Sequence, residues 1–69
     1  MNKSEEQLRA DIRTIRRNLK ITQKEMGAKL GITESAYNRI ESGLITLSYA
    51  HLLAISDTLG ISVVDILNK

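Results

Sequence analysis

Residues that begin helices recur at short intervals along this chain of 69 residues. A Ser or Thr hydroxyl accepts a hydrogen bond from the first turn of a helix, so these residues are preferred at helix N-termini. Glu, Gln or Asp three residues later strengthens the signal. The sequence predicts helix starts at Ser4, Thr22, Thr33, Ser48 and Ser62, and each helix must therefore be short.

Three glycines mark where helices should end. Gly31, Gly43 and Gly60 can adopt the left-handed conformation that closes a helix. The chain has no proline and is rich in Leu, Ile, Ala, Lys, Arg and Glu, which favours helix throughout. We predict five helices, which begin after the five caps and end near residue 19 or 20, at 30, at 42, at 59 and near 67.

Apolar residues recur at helical spacing and predict a single core. In the first helix Leu8, Ile12 and Ile15 follow intervals of four and three, which places them on one face. We expect one compact all-α domain over residues 1–69, with a radius of gyration of about 11 Å. Tyr49 and Leu53 are either core or partly exposed contact residues. Tyr49 begins the apolar stripe of the fourth helix. The predicted core contains Leu8, Ile12, Ile15, Leu19, Met26, Leu30, Ile32, Tyr37, Ile40, Leu52, Ile55, Leu59, Ile61 and Ile66.

Composition argues against several functional classes. With no cysteine and only His51, a metal site is not expected, because zinc needs three or four protein ligands. No nucleophile and base lie in a catalytic arrangement, so we expect neither an enzyme nor a cofactor. The longest apolar run is four residues, at 52–55, which is far too short for a membrane span, and a cytoplasmic location is expected.

Basic residues are concentrated near the N-terminus. Residues 9–20 carry five of the ten Lys and Arg residues, whereas residues 42–68 carry none. The basic side chains along the first helix either face phosphates or form a solvated face that suits the helix dipole. The charge distribution suggests one side of the domain that faces anions.

Residues 22–43 read as two capped helices joined by a turn of three residues. Gly31 supplies the bend of a helix-turn-helix, which sets the two helices nearly perpendicular. An α-helix fits the major groove of B-DNA, which is about 12 Å wide. The outward side chains of the second helix are predicted to be Glu34, Ser35, Asn38, Arg39 and Ser42.

The spacing of these residues resembles the Xre family, the helix-turn-helix domain of phage repressors and Cro proteins. The resemblance runs from about residue 12 to 67, with the helix-turn-helix at about 23–42, and implies a phage-repressor-like five-helix fold. The matching residues are Ile12, Arg16, Leu19, Thr22, Gln23, Glu25, Lys29, Leu30, Gly31, Thr33, Arg39, Ile40, Glu41, Gly43, Leu52, Ile55, Leu59, Gly60 and Ser62.

The resemblance implies a DNA-binding surface, with the recognition helix at about 34–42 in the major groove. By position, Gln23, Thr33 and Ser42 would meet phosphates. Base edges would be faced by Glu34, Ser35, Asn38 and Arg39, while Arg13 and Arg17 on the first helix would supply charge to the backbone. The resemblance also implies an ion pair between Arg16 and Glu41.

Four positions depart from the family pattern. Gly27 stands where Ala is usual, and Tyr37 where Ile or Val is common, so its hydroxyl needs a partner. Glu34 is acidic on the groove-facing side, and the loop at residues 44–47 lacks basic residues. Both of the last two features weigh against tight DNA binding.

We therefore expect a sequence-specific regulator that binds double-stranded DNA, repressor-like and of bacterial or phage origin. The alternative is an antitoxin-like or other protein-interaction module with the same fold and weak DNA binding. The active species is expected to be a homodimer, because the core is too small to use every apolar residue near the C-terminus. The candidates for its interface are Leu53, Val63, Val64 and Leu67.

Overall fold

Five α-helices form the fold of residues 3–69, the part of the chain that the computed structural model describes. The all-α fold and the five predicted helices are confirmed, and the radius of gyration is 10.9 Å. The helices are α1 (Glu5–Asn18), α2 (Gln23–Leu30), α3 (Glu34–Ser42), α4 (Tyr49–Leu59) and α5 (Val63–Leu67).

The predicted hydroxyl caps begin all five helices. At Thr22 the capping box is complete, because Oγ1 accepts from the Glu25 amide at 3.0 Å and Glu25 Oε1 accepts from the Thr22 amide at 2.9 Å. Ser4 Oγ accepts from the Gln7 amide at 3.0 Å. The Gln7 side chain, however, donates to Asp11 Oδ1 at 3.2 Å and does not accept from the Ser4 amide, so only one of the two bonds of a capping box forms at Ser4.

Three of the five helices end at the predicted glycines. Gly31, Gly43 and Gly60 all have positive φ and close α2, α3 and α4. The first helix ends at Asn18, and Lys20 turns the chain with φ of +59°. Leu19 was predicted to belong to the core and is 50% exposed, because it lies at the C-cap where the chain leaves the helix.

Ten of the predicted core residues are buried, and they come from all five helices. Leu30, Ile32 and Ile61 are partly buried and pack against this core. Tyr49 does not belong to it: as the first residue of α4 it lies at the rim, 69% exposed. The buried apolar residues are Leu8, Ile12, Ile15, Met26, Tyr37, Ile40, Leu52, Ile55, Leu59 and Ile66.

Candidate nucleic-acid interface

The turn between α2 and α3 brings these two helices into the most extensive packing of any helix pair in the described residues. The Ile32 amide donates to Gly27 O at 2.8 Å, and this bond closes the turn. A Cβ atom added to Gly27 would lie 3.0 Å from the carbonyl oxygens of Ile32 and Thr33. Glycine at this position therefore permits the close approach of the two helices.

The third helix has one anchored face and one open face. Tyr37, Ile40 and Glu41 are buried and attach α3 to the rest of the domain. The opposite face carries short or hydrogen-bonding side chains. They are the five side chains predicted to point outward, and all are exposed: Glu34, Ser35, Asn38, Arg39 and Ser42.

Side chains on the open face of α3 are partly ordered by one another. Arg39 Nη2 donates to Ser35 Oγ at 3.0 Å, one turn earlier on the helix. At the N-terminus of α3, Thr33 Oγ1 accepts from the Ala36 amide at 3.0 Å. A hydroxyl that accepts in this way keeps its own proton, so Thr33 can still donate to a phosphate oxygen.

The buried carboxylate of Glu41 joins α1, α2 and α3. Arg16 donates to it twice, from Nε at 2.9 Å and from Nη2 at 3.0 Å. The Tyr37 hydroxyl donates to Glu41 Oε2 at 2.6 Å, which supplies the partner that its burial requires. Gln23 Nε2 donates to Glu41 Oε1 at 3.3 Å. The structure thus brings together Arg16 and Glu41 and adds two donors to the pair.

The electrostatics of this cluster favour the charged pair. Burial raises the pKa of Glu41, but hydrogen bonds from Arg16 and Tyr37 outweigh it and hold the pKa of the carboxyl below its usual value. The hydrogen bonds to Glu41 raise the pKa of Arg16 further. Burial, together with the bond to Glu41, raises the pKa of Tyr37 far above that of a free phenol. Glu41 is therefore an anion at neutral pH.

The arginines of α1 differ in how far their guanidinium groups already bind other groups of the domain. Arg13 Nη2 donates to Glu41 O at 3.4 Å, and its Nε lies 3.5 Å from the Glu41 carboxylate, although 37% of the side chain is exposed. Arg17 is exposed. Arg9, which was not among the predicted site residues, donates from Nε to Ile40 O at 3.1 Å. Arg9 and Arg13 therefore bind carbonyls at the C-terminal end of α3.

Gln23 has a position that sequence reasoning missed. It was predicted to meet phosphate, and it is half-buried between α2 and α3. Its Oε1 accepts from Asn38 Nδ2 at 3.0 Å, while its Nε2 contacts Glu41. No local signal could have indicated this, because Gln23 and Asn38 are 15 residues apart.

The four residues predicted to form a dimer interface do not share one environment. Leu53 and Val64 are exposed, by 41% and 62%. Val63 and Leu67 are partly buried and pack against the core. Tyr49 lies four residues before Leu53 on α4, a spacing that places both on the same side of the helix.

These features define a helix-turn-helix domain whose second helix is exposed along one face. A helix-turn-helix family model matches residues 12–66, which is most of the chain. The chain belongs to the Xre-like helix-turn-helix family of the Cro/C1 type, a family of DNA-binding domains and not of enzymes. No curated protein and no solved structure gives a significant match to it. Within residues 3–69, no helix has the length and apolar character needed to cross a membrane.

Proposed function

We propose that this protein is a sequence-specific, repressor-like transcriptional regulator that places α3 in the major groove of double-stranded DNA. The observation that carries the proposal is the two-sided character of α3. Its inner face is held by the core and by the buried Arg16–Glu41 pair, while its outer face is exposed and hydrogen-bonding. A rigid helix with such a face suits direct readout of base edges.

The dimensions of α3 fit this role. Nine helical residues at about 1.5 Å each form a rod of roughly 13 Å, comparable with the groove width of about 12 Å. Arg39 would pair with guanine O6 and N7, and Ser35 and Asn38 would contact neighbouring bases. Glu34 could accept a hydrogen bond from cytosine N4.

The rim of the interface would contact the DNA backbone. Thr33 at the N-terminus of α3 would donate to a phosphate, where the free amides of the helix also favour an anion. Ser42 would meet a phosphate at the opposite end of α3. Arg17 and the exposed part of Arg13 would supply positive charge from α1, which crosses the backbone in this docking geometry.

A second candidate function is an antitoxin-like module that mainly binds a protein partner. Two observations favour it. Arg9 and Arg13 donate to carbonyls of α3, which leaves less of the α1 charge for phosphates. Tyr49 and Leu53 are exposed one turn apart on α4, and adjoining exposed apolar side chains are common where a protein partner binds.

A salt-titrated binding assay separates the two candidates. We expect the protein to select a motif from a random duplex pool, with log K falling steeply as log salt rises. A variant with Ser35→Ala, Asn38→Ala and Arg39→Ala should lose the motif, whereas Lys29→Ala, an exposed change on α2, should keep it. Equal affinity of the wild type for selected and random duplexes, or no duplex binding, would reject the regulator and favour the protein-interaction module.

A further inference from the structure

Two side-chain amides connect the buried core of the domain to the open face of α3. Gln23 Nε2 donates to Glu41 Oε1 at 3.3 Å, and Asn38 Nδ2 donates to Gln23 Oε1 at 3.0 Å. Glu41 is buried, Gln23 is half-buried and Asn38 is exposed. We call these three residues the amide relay.

The charge of Glu41 fixes the direction of every hydrogen bond in the amide relay. Arg16 and Tyr37 keep Glu41 ionised, and an ionised carboxylate only accepts hydrogen bonds. Gln23 must therefore turn its NH₂ group toward Glu41, which points its carbonyl oxygen at Asn38. Asn38 must in turn present its NH₂ group to Gln23, and its own carbonyl oxygen is left for the groove.

We propose that Gln23 is a positioning residue that holds Asn38 with its carbonyl oxygen toward the bases. An outward acceptor selects a base that carries a donor on its major-groove edge, namely adenine at N6 or cytosine at N4. Adenine is favoured, because the second Asn38 Nδ2 proton can donate to adenine N7 in a two-bond pairing. Guanine and thymine present acceptors at O6 and O4 and are disfavoured. The inference rests on the proposed function, and it replaces the predicted phosphate contact of Gln23.

The test compares base preference among four proteins: the wild type, Asn38→Ala, Gln23→Met and the double variant. Methionine has a similar length to glutamine and lacks the amide. We expect the wild type to prefer adenine at one position by roughly tenfold or more, as a paired Asn–adenine contact does. Asn38→Ala should abolish that preference, and Gln23→Met should reduce it by about threefold or more. Gln23→Met should have no further effect in the Asn38→Ala background, and the control Lys24→Met, an exposed change beside Gln23, should leave the motif unchanged.

Nuclear magnetic resonance of the free protein tests the amide relay without DNA. The Asn38 side-chain NH₂ signals should shift in Gln23→Met and remain in place in Lys24→Met. Unchanged Asn38 signals would overturn the proposal.

The binding outcomes distinguish a failure of the relay from a failure of the proposed function. If Gln23→Met lowers the affinity for every duplex equally, Gln23 is a phosphate ligand and the positioning role is wrong, while the regulator remains. A preference for guanine or thymine that depends on Asn38 would also overturn the inferred orientation. If the wild type shows no base preference at all, the positioning role and the proposed function both fail.

Discussion

Arg16 and Glu41 form a bidentate ion pair between α1 and α3, with nitrogen–oxygen distances of 2.9 and 3.0 Å. The two side chains are 8% and 2% exposed. Arg16 Nη1 also donates to Ile21 O at 2.8 Å, so the guanidinium bonds to the segment that leads into α2 as well. The pair therefore fixes the orientation of α3 relative to both helices that precede it.

The effects of removing Arg16 and of removing Glu41 on stability should be strongly coupled. Arg16→Met leaves a buried carboxylate without its main donor and should lower the free energy of unfolding by about 3–5 kcal/mol, as should Glu41→Leu. The double variant should be destabilised by clearly less than the sum of the two single changes. Urea denaturation of the four proteins measures this coupling, and additive effects would mean that the pair makes no specific contribution.

Stability should fall in acid because of Glu41. Burial opposes ionisation of this carboxyl, but the bonds from Arg16 and Tyr37 give it a pKa below its usual value in the folded state. Its stabilising effect is therefore present above the unfolded pKa of about 4.3 and is lost as the pH falls through the folded pKa. Glu41→Gln should be less stable than the wild type at pH 7, and the gap should narrow below about pH 4. Denaturation of both proteins at a series of pH values measures this gap, and a gap that does not narrow in acid would contradict the argument.

Lys20→Gly should stabilise the domain. Lys20 has φ of +59°, and it is the one residue other than glycine with positive φ among residues 3–69. Relief of this left-handed conformation should raise the free energy of unfolding by about 0.5–1 kcal/mol. Lys29→Gly, on the exposed side of helical α2, should instead lower it by about 1 kcal/mol. Thermal unfolding of both variants provides the comparison, and a loss of stability in Lys20→Gly would contradict the argument.

Arg39 should read a base, whereas Arg17 should supply only charge. Arg39→Ala should weaken binding to the best site by about 1–3 kcal/mol, and it should remove the preference for guanine at one position of the selected motif. Arg17→Ala should leave the motif unchanged and lower the salt slope by about 1. Sequence selection with each variant measures both effects. If Arg39→Ala weakens specific and random duplexes equally, Arg39 contacts the backbone and Ser35 or Asn38 must carry the specificity.

The active species should be a homodimer that uses the exposed apolar residues of α4 and α5. Leu53→Lys and Val64→Lys should abolish the dimer while leaving the fold intact, because both side chains are exposed. Val63 and Leu67 pack against the core, so their replacement should reduce stability as well. Sedimentation of the protein at tens of micromolar measures its oligomeric state. The measurement is made with and without a duplex whose half-sites are about 34 Å apart. A monomer under both conditions would exclude this arrangement.

Local patterns were sufficient to predict the helices and most of the core. A cap depends on residues within a few positions of one another, and the caps at Thr22, Thr33 and Ser48 formed where hydroxyl residues predicted them. Helical periodicity likewise places ten apolar residues inward before any packing is known. Leu19 was predicted wrongly as core, and of the two alternatives for Tyr49 the core was the wrong one, because both residues lie at helix ends, where periodicity no longer determines which side chains are covered.

Only the tertiary structure decided what the long polar side chains contact. Arg9 binds a carbonyl 31 residues away, and Gln23 contacts residues 15 and 18 positions away. A flexible side chain can reach many partners, and the packing of α1, α2 and α3 selects among them. The resemblance to phage repressors suggested partners for Arg16 and Gln23, but it was the placement of a buried carboxylate beside α2 that turned Gln23 toward Asn38. Helix formation depends on nearby residues, whereas this hydrogen-bond network depends on how the finished helices lie against one another.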